Sequence, residues 1–196
     1  MQNLQQKGWV RFTEYEDTLL SFELLVDQLT KVQTSDLVWK WIIISLHSTL
    51  QGLMVLNLQS SNGMEALKPI NNRTKVSHNK FSRKLDYFLE LYGKIQHSNA
   101  MTQHINGKKF ITTQKQNECM EELNAYRNNF IHYLPKRSLI VSLETFTNIL
   151  SECTIVIDFL VTNKHFGHYG DRFNKLCISL HQNIRDIKSH YAEVVL

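Results

Sequence analysis

The chain has 196 residues, 42% hydrophobic and 20% charged, with a formal net charge of +4. That length can bury a core and fits one domain, and the composition argues against wholesale disorder. Two prolines and seven glycines argue against sandwiches, barrels and propellers, which need many tight turns.

The hydrophobic pattern is helical throughout. A first helix is expected over residues 10–32, with Leu19, Phe22, Leu25, Val26 and Leu29 on one side. Thr34, Ser35 and Asp36 can cap a second helix over 36–59. Residues 41–58 carry no charge for 18 positions, the lower limit for a membrane span. Ser45, His47, Ser48, Thr49, Gln51 and Asn57 make them too polar for lipid, so a buried central helix is expected. Ser45, Ser48, Thr49 and Gly52 form a small-residue stripe where a neighbour can approach closely.

Residues 60–79 read as a long polar connection. A third helix is expected over 80–95, and 97–111 as irregular chain. Thr112 or Thr113 can cap a fourth helix running to Tyr133 or Leu134, with Pro135 as its stop. A fifth helix is expected over 143–162 and a sixth over 171–194. The expectation is an all-α, largely antiparallel bundle of five or six helices forming one domain over 1–196, in which 166–196 is an additional C-terminal helix.

The fourth helix carries the chemistry. At ~100° per residue, Leu123, Phe130 and Leu134 fall within about 20° of one line, the core stripe. Arg127 lies about 40° from that line, Asn128 about 140° and His132 about 180°. Arg127 therefore sits at the edge of the buried face and wants a partner or an anion. Asn128 and His132 stack at i, i+4 on the outer side. Read from spacing alone, Arg127 could equally be an interhelical ion-pair residue, and His132 could simply cap the helix.

Arg127-Asn128, three residues, His132, then Tyr133 and Pro135, resembles the R-x4–6-H motif of the HEPN domains (higher eukaryotes and prokaryotes nucleotide-binding). The context is similar as well: WKWIIISLH at 39–47 followed by LQGLMV at 50–55, and KLDYFLELY at 84–92. The likeness covers about residues 15–165 and leaves the last helix outside. It implies a small helical bundle that forms a homodimer, often with the motif helices facing each other. It also implies a metal-independent endoribonuclease of a bacterial toxin–antitoxin or phage-defence system. An antitoxin or defence-system protein would be a further partner, and the family contains inactive relatives that only bind or scaffold a protein or nucleotide.

RNA is cut without a metal when its 2′-OH attacks the adjacent phosphate. A histidine supplies general acid–base chemistry near neutral pH, and an arginine supplies a planar fork for the developing charge. On that reading the catalytic residues are Arg127 as phosphate clamp, His132 as general acid/base and Asn128 as an orienting group. RNA-binding candidates are Lys75, Lys80, Arg83, Lys84, Lys108, Lys109, Tyr126, Tyr133 and Lys136. No cofactor and no metal are expected. His165, His168 and Asp171 have a ligand-like spacing but read as a polar loop, since zinc would need a fourth ligand. His47 and Gln51 read as satisfied core polar groups, with a role beside the site left open. Trp39, Trp41, Phe81, Tyr87, Phe88 and Tyr92 read mostly as core.

Cys119, Cys153 and Cys177 form no disulfide framework, and the odd count suits a reducing compartment. Residues 1–7 are polar, with no apolar stretch of an export signal behind them. A cytoplasmic, membrane-free protein is expected. The net charge is uneven: residues 1–65 carry −3, 66–116 carry +8 and 117–196 carry −1. A local +8 suits the rim of a polyanion site.

Overall fold

The structure, a computed structural model, describes residues 10–59, 66–68, 84–97, 108–132 and 139–194. They form six α-helices: α1 (Glu14–Leu29), α2 (Trp39–Leu58), α3 (Phe88–Ile95), α4 (Gln114–Ile131), α5 (Leu143–Asn163) and α6 (Gly170–Val194). Short 3-10 turns at Asp36–Val38 and Gly167–Tyr169 lead into α2 and α6. The chain is an all-α bundle, as its periodicity predicts.

Local sequence sets most boundaries. Thr13 accepts from the Glu16 amide while the Glu16 carboxylate accepts from Thr13 N–H, so α1 begins in a capping box. Thr113 and Gln116 make the same box at the start of α4. Ser142 caps α5 by accepting from Thr145 N–H at 3.1 Å. Both Thr113 and Ser142 stand where a side-chain oxygen takes up an amide that has no intrahelical partner.

The third helix departs from expectation, because it starts at Phe88 rather than near residue 80. Residues 84–87 are extended. Leu85 bridges Leu67, with Lys68 N–H donating to the Lys84 carbonyl and Asp86 N–H to the Ala66 carbonyl, both at 3.0 Å. Asp86 then accepts from Tyr87 N–H at 3.0 Å and pairs with Lys94 at 2.7 Å. Helical periodicity cannot register these pairings, because their partners lie 16 to 20 residues earlier.

α2 is the central helix, packed on α1, α3, α4 and α5. Side-chain contacts give the directions. Thr18, early in α1, faces Gly52, late in α2, and a short connection joins Leu29 to Trp39, so α1 and α2 are antiparallel. Met120 meets Cys153 and Tyr126 meets Phe146, so α4 and α5 are antiparallel. Trp39 stacks on Phe146 while Asn57 Nδ2–H donates to the Leu160 carbonyl, so α2 and α5 run parallel. α6 packs on α1 and α5, tied by an Arg172–Glu23 ion pair and by a hydrogen bond between His181 Nε2 and the Asp158 carboxylate at 2.9 Å.

Two helices, Asp36–Leu58 and Leu143–Asn163, are long and apolar enough to cross a membrane by length and composition alone. Most of the first and half of the second are buried in the bundle. The small-residue stripe also behaves as expected, since α1 comes so close at Gly52 that a Cβ there would lie 2.3 Å from Thr18 Oγ1. The three cysteines are free thiols, two buried and one half-buried.

Candidate functional site

α4 presents Arg127 and Asn128 as their helical angles require, but it ends at Ile131 rather than at the expected Tyr133 or Leu134, so His132 leaves the helical path. Leu123 is fully buried and Phe130 partly buried, Arg127 is half-buried at the margin, and Asn128 and His132 are exposed. His132 is the C-cap residue, one position beyond the helix, and its N–H closes the last turn on the Asn128 carbonyl at 2.8 Å. Arg127 Nη1–H donates to Asn128 Oδ1 at 2.9 Å. Among the described residues no carboxylate lies within ion-pairing distance of Arg127. The interhelical salt bridge that would make it a structural residue is therefore not formed there.

Beneath Arg127 lies a group the sequence places only loosely. His47, on α2, is 3% exposed. Its ring stacks on Phe88 at 4.0 Å, and Nε2 lies 3.3 Å from Asn124 Oδ1 on α4. Its Nδ1 has no hydrogen-bond partner, so His47 is only half satisfied, contrary to the expectation. Burial first, and then the Arg127 charge, hold its pKa down at about 4, partly offset by the Asn124 bond. The ring is therefore neutral at physiological pH. Asn124, Asn128 and His132 form an i, i+4, i+8 polar stripe up α4, with Arg127 beside it. That spacing is visible in the sequence once Asn124 is included. The His47 contact is not, because it joins residues 77 positions apart.

The basic candidates divide. Lys84, Lys108 and Lys109 are exposed. Lys84 lies four residues before Phe88, which puts its Cα within about 14 Å of the Cα of the residue whose ring stacks on His47. Lys108 and Lys109 adjoin Phe110, whose N–H donates to the Ile95 carbonyl at 2.9 Å. That is the capped end of α4, and Thr113 is about 21 Å along the helix from Arg127. The two lysines therefore do not sit beside the motif. Of the ten basic residues in 66–116, Lys94 and Lys115 are committed to ion pairs with Asp86 and Glu152. Lys68 sits over the exposed Tyr87 ring, 3.2 Å from its centroid. Tyr126 is turned inward against Phe146, at 5.6 Å between rings. Lys75, Lys80, Arg83, Tyr133 and Lys136 lie outside the described residues, as does Phe81.

Several other candidates resolve into structure. Trp41 and Tyr87 are 51% and 70% exposed rather than core. Gln51 is half-exposed and lines an open cleft of about 270 Å³ with Glu14, Asp17 and Ser48. The His165 ring turns back to accept from Gly167 N–H at 3.2 Å, and His168 packs on Tyr169. Among the described residues no three His, Cys, Asp or Glu side chains gather closely enough to hold a metal ion.

No protein-family model, no curated protein and no solved structure matches this chain. The functional reading therefore rests on the residues themselves.

Proposed function

We propose that the protein is a metal-independent endoribonuclease of the HEPN type, acting as a homodimer on RNA. The observation that carries this reading is a half-buried arginine with no acidic partner among the described residues, beside an exposed histidine on one helix end. In the reaction, His132 takes the proton from a ribose 2′-OH as its oxygen attacks the adjacent phosphorus. The 5′-oxygen leaves with a proton from a second His132, supplied by a second copy of the chain. Arg127 holds the negative charge that gathers on the phosphoryl oxygens. The products are a 2′,3′-cyclic phosphate and a 5′-OH.

Two further features support the reading. α6 packs on α1 and α5, leaving the outer face of α4 open. Leu37, Trp41 and Ile131 are 85%, 51% and 45% exposed. Trp39, Phe146 and Tyr126 are in contact, so the start of α2 and the last turns of α4 share one end of the bundle. Apolar side chains at that end suit the seam of a dimer. A cytoplasmic setting in a bacterial toxin or defence system, with an antitoxin-like partner, belongs to the same proposal.

The test is incubation of purified protein with total RNA in EDTA. Wild type should cleave, leaving 2′,3′-cyclic phosphate ends. Arg127→Ala and His132→Ala, checked for unchanged helicity, should each lose at least a hundredfold in rate. Wild type that binds RNA without cutting it would instead identify a non-catalytic binding module.

A further inference from the structure

The amide groups on α4 are oriented by their neighbours. Asn128 Oδ1 is taken by Arg127 Nη1–H. Asn124 Oδ1 is turned toward His47 Nε2. If His47 carries its proton on Nε2, its orphan Nδ1 is an unfilled lone pair. In the other tautomer it would be a buried N–H with no acceptor, close to a guanidinium. The first arrangement is the less costly. Both asparagines then point their oxygens at fixed donors and leave their Nδ2–H groups without partners among the described residues. Asn124 is half-buried and Asn128 exposed, so both amino groups border solvent beside Arg127.

We infer that Asn124 is a phosphodiester-binding residue, held amino-group-outward by His47, and that His47 is a positioning residue of the site. The receptor is then a row of donors along one helix edge: Asn124 Nδ2–H, the Arg127 guanidinium, Asn128 Nδ2–H and the His132 ring. Such a row fits an oxyanion, which only accepts hydrogen bonds. It also gives a reason for an incompletely bonded histidine in the core, a feature that otherwise only destabilises the fold. A neutral ring is required there, because an imidazolium would repel Arg127. This inference rests on the RNA reading, which it extends by two residues.

The probe is a fluorescein-labelled single-stranded DNA oligonucleotide, which lacks the 2′-OH and cannot be cut. Its binding is followed by anisotropy at low salt. Asn124→Asp keeps an acceptor for His47 but replaces the amino group by an anionic oxygen, and it should weaken binding at least tenfold. His47→Phe keeps the stack on Phe88 but frees the Asn124 amide, and it should weaken binding severalfold. The double variant should be no weaker than Asn124→Asp alone. In 15N spectra of wild type, the Asn124 and Asn128 side-chain amides should shift on adding the oligonucleotide. If Arg127→Ala abolishes binding while Asn124→Asp binds like wild type and its amide does not shift, the inference fails and the RNA site stands. If Arg127→Ala also binds like wild type, the RNA site itself is overturned.

Discussion

A side chain at position 52 would collide with that of Thr18 on α1. A Cβ there would lie 2.3 Å from Thr18 Oγ1 and 3.0 Å from Thr18 Cβ, and Thr18 is itself buried and bonded to the Glu14 carbonyl. Gly52→Ala gains about 1 kcal/mol in helix propensity but overpacks the contact by about 1–3 kcal/mol. Net destabilisation of about 1 kcal/mol is expected in urea unfolding, and Thr18→Ala should relieve part of it. The small-residue stripe announces this approach in the sequence. Arg127 is legible in the same way, because its 40° offset from the core line follows from helix geometry. His47 is not: its identity suggests a satisfied core group, and only its neighbours on α3 and α4 reveal an orphan nitrogen under a cation.

At the scale of elements, the cap of α4 was readable and pairings were not. Thr113 begins α4 as an exposed capping-box residue. Thr113→Ala should therefore lower stability by about 1 kcal/mol. It should leave RNA cleavage per folded molecule unchanged, because the site lies at the other end of the helix. A urea titration paired with the cleavage assay checks both halves. The start of α3 illustrates the opposite case. KLDYFLELY has helical spacing over its whole length, yet its first four residues are extended through backbone bonds to 66–68. Asp86, drawn to its ionised form by Lys94 against the pull of burial, anchors that junction. The consequence reaches the site, since Phe88 at the head of α3 is the ring that stacks on His47.

For the whole molecule, His47 couples the fold to pH. Its folded pKa of about 4 lies below the ordinary 6.5, so the unfolded chain binds the proton first as pH falls. Stability is unaffected above pH ~6.5 and is lost progressively toward pH 4, by on the order of 2–3 kcal/mol at pH 4.5. Urea midpoints at pH 7 and 4.5 should therefore fall more for wild type than for His47→Phe. Equal falls would mean that the ring is protonated, or hydrated, in the folded protein.

The sequence by itself determined the class and most of the elements: a bundle of five or six helices, a central apolar α2, a capped α4, and the core and outer faces of α4 set by 3.6 residues per turn. These depend on interactions within about four residues, which a linear string displays. Only the tertiary structure decided that α6 packs on α1 and α5 and leaves the outer face of α4 uncovered. Only it placed His47 against Asn124, within the field of the Arg127 charge. Those facts depend on contacts across tens of residues, set by how apolar faces share one core, and no local period encodes them.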